Sequence, residues 1–199
     1  MIKTHKFTND WKVVSDEAHN AHMNLYSGYA EKVNEIHNKL KNAPKDKANK
    51  NYSEYRGLKK ELSLNLNGVI LHELFFRNTG GEHNAPLDQF NALVNKDFGG
   101  YENWLKDLIA TANSARGWAI AAYEQRTKCL QNILLDRHDE GLVSGMFPIV
   151  VLDVYEHAFV RDFGDDQNAY VQAAAKKLCF ETIEKRVKSL EGHHGQKSN

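Results

Sequence analysis

Phe147-Pro-Ile-Val-Val-Leu-Asp-Val-Tyr-Glu-His157 is the stretch on which the fold turns. Its first six residues are apolar or proline, and a carboxylate, Asp153, follows them directly with an imidazole, His157, four residues on. A short apolar run bounded by polar turns reads as a buried strand. A carboxylate at the end of such a run is costly to bury unless it is paired or bound to a cation. A histidine one helical turn beyond it supplies a second donor, so the pair invites a metal. Surface Asp/His pairs at this spacing are common, and what lifts this one is His22 and His72, each inside a long helical pattern far upstream.

Working outward, residues from about Ser15 to Lys41 contain no proline and one glycine, with a Ser-Asp-Glu start suited to an N-cap and first turn. They predict a long helix. Asn42 to Asn49 is a lysine-rich polar connection, and a second helix is expected from about Tyr52 to Arg77, where Leu58, Leu62, Leu66, Val69 and Phe76 recur at helical spacing. Two long helices joined by a short loop make an antiparallel hairpin. Asn78-Thr-Gly-Gly-Glu-His-Asn-Ala-Pro86 is the strongest breaker in the chain. It divides a helical hairpin domain, residues 1–83, from an α/β domain, residues 84–199. Beyond it, shorter helices are expected at Leu87–Asn95 and Tyr101–Ser114. Strands are expected at Gly117–Tyr123, Cys129–Asp136 and Ile149–Asp153, and one final helix at about Asn168–Leu190. The fold class is therefore α+β: a long antiparallel helical hairpin, then a lobe with a small three-stranded antiparallel sheet flanked by helices.

Composition narrows the function. The chain has 199 residues with 26 Lys+Arg against 26 Asp+Glu. This balance gives no reason to expect a nucleic-acid partner or an anionic membrane. No apolar run approaches membrane-spanning length, and the Met1-Ile-Lys-Thr-His-Lys start lacks the apolar core of a signal peptide. Cys129 and Cys179 stand without CxxC spacing and read as reduced thiols. Together these features point to the cytoplasm. The polar end, Gly192 to Asn199, reads as a frayed tail.

The upstream histidines have different surroundings. His22 shares a helical face with Tyr26 and Tyr29, at four and seven residues on. His72 lies in the apolar stripe between Val69 and Phe76, where its ring nitrogens need partners. A hydrogen-bonded core histidine is the ordinary explanation of such a residue. With Asp153 and His157 the set becomes three imidazoles and one carboxylate. These donors suit Fe, Mn, Zn, Co or Ni and disfavour Ca or Cu(I), and without cysteine ligands an iron–sulfur cluster is disfavoured.

These segments resemble the iron/manganese superoxide dismutase family over nearly the whole chain. Asp153-Val-Tyr-Glu-His-Ala-Phe159 is similar to that family's D-x-[WY]-E-H-A-[FY] signature. Ser15–His22 resembles the segment reaching its first histidine ligand, Leu71–Phe76 the second, and Arg116-Gly-Trp-Ala119 its turn into the sheet. The resemblance implies dismutation of superoxide by one Fe or Mn ion per subunit, held by His22, His72, Asp153 and His157. It also implies a hydrogen bond to the bound solvent, from a residue that is Gly68 at one usual position and His138 at the other, so His138 takes that role. Glu156 resembles the residue that reaches a ligand of the partner subunit, which implies a homodimer, with a tetramer as the larger assembly the family admits.

Two departures follow from the same resemblance. The family's histidine one turn after the first ligand is Tyr26 here, and its gating tyrosine falls at Ala30 with Tyr29 adjacent. Either Tyr26 or Tyr29 could serve as the gate. The aromatics usual in the last helix are replaced by Ala173-Ala-Ala-Lys-Lys-Leu-Cys-Phe180. The alternatives are a protein of this fold that binds metal or assembles without dismutase activity, and a zinc hydrolase, for which no general base stands out.

Overall fold

The computed structural model describes residues 1–81, 85–141 and 143–192. Helix α1 (Asp16–Asn42) starts where Ser15 accepts the Ala18 N–H, as its sequence predicts. Helix α2 (Glu54–Arg77) is capped in the same way by Ser53 through the Arg56 N–H. The two pack together as the expected hairpin, burying Tyr26, Ala30 and Val33 from one and Val69, Leu71 and His72 from the other.

The second half opens with α3 (Asp88–Phe98) and α4 (Tyr101–Ser114). Leu87 at the start of α3 has no side-chain oxygen to cap it, so Glu184 supplies one from the last helix, accepting the Gln89 and Phe90 N–H groups at 3.1 and 3.0 Å. Strands β1 (Trp118–Glu124), β2 (Cys129–Leu135) and β3 (Met146–Asp153) form an antiparallel sheet of order β2-β1-β3. The central strand β1 is buried along its whole length. Its register places Trp118 opposite both Leu135 and Asp153. One end of the sheet thereby gathers an indole, a carboxylate and the segment leading to His138. Gly117 is needed at that corner, because a Cβ there would come within 2.8 Å of the Leu135 carbonyl and 2.9 Å of the Tyr155 ring.

The chain ends in α5 (Glu156–Phe163), α6 (Gln167–Ala175) and α7 (Phe180–Gly192). One expectation changes here. The single helix from about Asn168 to Leu190 is two helices, because the backbone between them pairs with the end of α2. Gly80 N–H donates to Lys177 O, and Cys179 N–H donates to Asn78 O. Asp153 closes β3, as the expected strand Ile149–Asp153 has it, and His157 lies in the first turn of α5. Both cysteines are free and half-buried, as expected. The 83/84 boundary falls outside the described residues, as does the tail from residue 193.

Candidate metal centre

Four side chains from four elements meet between the hairpin and the sheet: His22 from α1, His72 from α2, Asp153 from β3 and His157 from α5. Their donor atoms all lie within 4.8 Å of one another. One carboxylate oxygen is the focus. Asp153 Oδ2 is 3.0 Å from His22 Nε2, 3.2 Å from His157 Nε2 and 3.5 Å from His72 Nε2. The other oxygen, Oδ1, accepts the Tyr155 N–H at 3.0 Å, and the Asp153 backbone carbonyl accepts the Tyr170 hydroxyl at 2.9 Å. The carboxylate is thus held at both ends.

His72 shows what the cluster is for. Its Nδ1 faces the Gly68 carbonyl at 2.6 Å. A carbonyl only accepts, so Nδ1 carries the proton. Burial drives the His72 pKa down to about 3, so the ring is neutral and Nε2 presents a bare lone pair. That nitrogen is completely buried and has no hydrogen-bond partner. Across from it, at 3.5 Å, lies the carboxylate oxygen of Asp153, another acceptor. Two buried lone pairs facing each other are mutually repulsive unless a cation sits between them. Three imidazole nitrogens and one carboxylate fit Fe or Mn, both of which accept mixed nitrogen and oxygen donors.

The electrostatics agree. Burial also lowers the His22 pKa, which keeps the ring in its ligating form. Burial opposes the charge on Asp153, but His157 and the hydrogen bonds from His157 and His22 outweigh it and hold the pKa low. Burial opposes protonation of His157 too, and there the Asp153 charge and hydrogen bond win, raising its pKa. His157 is the exposed member, with 25% of its side chain accessible. It stacks on Tyr155 and lines a cleft of about 810 Å³ with Arg116, Glu156 and Asp165.

The other predicted residues take distinct places. His138 is buried beside the cluster, its ring centroid 5.8 Å from that of His72. Trp118 Nε1 lies 2.9 Å from His138 Nδ1, and Tyr29 Oη lies 2.8 Å from His138 Nε2. An indole can only donate, so His138 Nδ1 is the acceptor. Burial lowers the His138 pKa, leaving a neutral ring whose one proton is on Nε2 and is donated to Tyr29. The Tyr29 hydroxyl therefore keeps its own proton to give. Tyr26 points elsewhere: its hydroxyl accepts the His5 N–H at 3.0 Å and donates to Glu73 at 2.8 Å. Glu156 is exposed at the start of α5, on the cleft beside His157.

Tyr155 occupies the aromatic position of the signature, but its contact with Asp153 was not legible there, and Tyr170 and Glu73 carry no signal in the sequence that marks them. Their contacts with Asp153 and Tyr26 depend on how the strands and the hairpin pack.

Comparison with known proteins accords with this geometry. The profile described as iron/manganese superoxide dismutases, C-terminal domain, matches residues 86–186. An iron superoxide dismutase of Aquifex pyrophilus is 35% identical over 189 residues, covering 92% of this chain and 89% of its own length. That of Aquifex aeolicus is 34% identical over the same length. A manganese superoxide dismutase of Halobacterium salinarum is 38% identical over 116 residues, covering 57% of each chain. On the strength of the likeness over 92% of this chain, carried together with a converging cluster of three histidines and one aspartate, the chain belongs to the iron/manganese superoxide dismutase family.

Proposed function

We propose that this protein is a superoxide dismutase whose single Fe or Mn ion is held by His22, His72, Asp153 and His157. The observation that carries it is the bare Nε2 of His72 facing the Asp153 carboxylate. The reaction combines two superoxide anions and two protons into one dioxygen and one hydrogen peroxide. When bound, the ion would supply the one-electron redox chemistry between the two superoxides.

The chain's own residues supply position and protons. Asp153 gives the only negative charge among the four ligands, so the site stays net positive toward an anionic substrate. The second superoxide must gain two protons to leave as peroxide, and Tyr29 is the group placed to deliver one. His138 donates to the Tyr29 oxygen, which directs the Tyr29 proton away from His138 and makes the hydroxyl a better donor. Trp118 holds that polarity by keeping His138 Nδ1 occupied. Tyr26, with its hydroxyl already used twice, serves the hairpin instead.

The exposed side of His157 suits a homodimer in which Glu156 crosses to the partner's site, closing the cleft. A cytoplasmic setting fits the free thiols and a described chain in which no helix is long and apolar enough to cross a membrane. A division into a hairpin domain, 1–83, and an α/β domain, 84–199, fits a site assembled from both.

The test is metal analysis joined to a superoxide-removal assay after reconstitution with Fe and, separately, with Mn. Near one ion per subunit and activity with at least one metal are expected, and His72→Ala should lose both. Stoichiometric zinc without redox activity would overturn the assignment.

A further inference from the structure

The edge of the sheet is stitched to the hairpin by one buried amide. Because the strand order is β2-β1-β3, β3 is an edge strand with a row of backbone groups that no strand pairs. At Val151 the Asn78 side chain takes the place of a neighbouring strand. Its Nδ2 donates to Val151 O at 3.0 Å, and its Oδ1 accepts the Val151 N–H at 2.8 Å. The same Nδ2 donates to Phe75 O on α2 at 3.1 Å. Arg186 from α7 completes the knot, donating to Asn78 Oδ1 at 3.1 Å, Ile149 O at 2.8 Å and Leu74 O at 2.7 Å. Asn78 is wholly inaccessible to solvent, so its own bonds to Val151 and Phe75 do not compete with water, while those of the half-buried Arg186 brace them from outside.

The placement matters because each anchored element carries a ligand. Val151 precedes Asp153 by two residues, so the two share a face of β3. Asn78 follows His72 by six residues, about 9 Å along α2 at 1.5 Å per residue. Apolar packing between α2 and β3 is non-directional and would tolerate small slides. Hydrogen bonds to the Val151 N–H and C=O do not, since they fix both register and separation. A metal site needs its donors held to within about 0.5 Å.

We infer that Asn78 and Arg186 are positioning residues for the metal centre, setting the distance between His72 on α2 and Asp153 on β3. The inference rests on the metal assignment above. It separates these two residues from Glu184, which is also buried and also ties α7 to a neighbouring element, but at α3, whose residues contribute nothing to the cluster.

The experiment compares Asn78→Ala and Arg186→Lys with Glu184→Ala and the parent protein, all loaded with the same metal. Loss of metal to a chelator, the ligand-field or paramagnetic-resonance spectrum, and thermal unfolding are measured on each. Asn78→Ala and Arg186→Lys should release metal roughly 10–100-fold faster, the range typical of lost support around a metal site, with an altered spectrum. Glu184→Ala should unfold at lower temperature with parental metal release and spectrum. Should Asn78→Ala not fold, Arg186→Lys decides in its place. Unchanged release and spectrum in the folded Asn78 and Arg186 variants overturn the inference while leaving the metal assignment standing. So does equal loosening by Glu184→Ala. A parent protein that takes up neither Fe nor Mn overturns both.

Discussion

Tyr26 and Tyr29 lie three residues apart on α1, and their hydroxyls work in opposite surroundings. Around Tyr26 the N-terminal segment crosses the hairpin: the His5 N–H and Glu73 take the hydroxyl, Phe7 packs against the ring, and Arg77 sits over Phe7. Around Tyr29 lie His138, His72 and the bare backbone of Gly68. Burial raises the pKa of both phenols, that of Tyr26 to about 12, so neither ionises near neutrality. What separates them is hydrogen-bond capacity. Tyr26 has accepted one bond and given its proton away, whereas Tyr29 has accepted one and still has a proton to give. A phenol with both roles filled within the fold holds structure together, and one with a free proton beside a metal site can do chemistry.

Tyr29→Phe tests that difference most strongly. The ring and its packing on Gly68 would remain, but the group placed to pass a proton would be gone. Activity should fall roughly 10–100-fold, as when a partner of the bound metal's surroundings is removed, and metal content should stay at the parental level. Turnover at saturating superoxide measures the loss, and unchanged turnover would remove Tyr29 from the proton path.

Gly68→Ala probes the seat of the same ring. A Cβ at Gly68 would lie 3.0 Å from two atoms of the Tyr29 ring, so the ring must shift by a few tenths of an ångström. Against that clash stands the helix preference of alanine over glycine, about 0.8–1 kcal/mol. The two nearly cancel in stability, while only the clash acts on the position of the hydroxyl. The expected outcome is an unfolding free energy within about 1 kcal/mol of the parent with several-fold lower activity. Measuring both on one preparation separates them.

Much of this contrast was out of reach in the sequence, for identifiable reasons. Ser15, Ser53 and the periodic leucines announce α1 and α2 because helix signals are local. The four candidate metal donors are legible because each sits in a motif or an apolar stripe. Tyr26 and Tyr29 could not be told apart: three residues on a helix turn a side chain by about 300°, which leaves the two about 60° apart on one face, and which of them faces the sheet depends on how α1 and α2 pack. The usual gate position, Ala30, is buried in the hairpin core, so a tyrosine one residue earlier reaches His138 instead. His138 could be placed as a candidate, but its bond to Trp118 joins residues 20 apart and follows from the β1–β2 register. Asn78 read only as the start of a breaker, because nothing local shows that its amide pairs with a strand 73 residues away. The division between α6 and α7 was hidden for the same reason, since backbone pairing with the end of α2 interrupts a segment of otherwise good helix formers.

The smallest effect is expected at Tyr26→Phe, and its size follows from what loses a partner. Glu73 is half-buried and can turn toward water once the phenol proton is gone. The residue whose N–H the phenol accepts, His5, is exposed, so that donor also finds water rather than standing unsatisfied. The cost is therefore the net worth of hydrogen bonds exchanged for solvent, about 1 kcal/mol, and not the larger penalty of a stranded buried group. For a chain of this length that is a fall of about 2–4 °C in the unfolding midpoint. Activity should stay within about twofold of the parent, because an effect on transition-state stabilisation worth less than about 0.4 kcal/mol is no larger than that. A loss of activity matching that of Tyr29→Phe would mean that the strap around Tyr26 belongs to the proton path, and the separation between the two phenols would collapse.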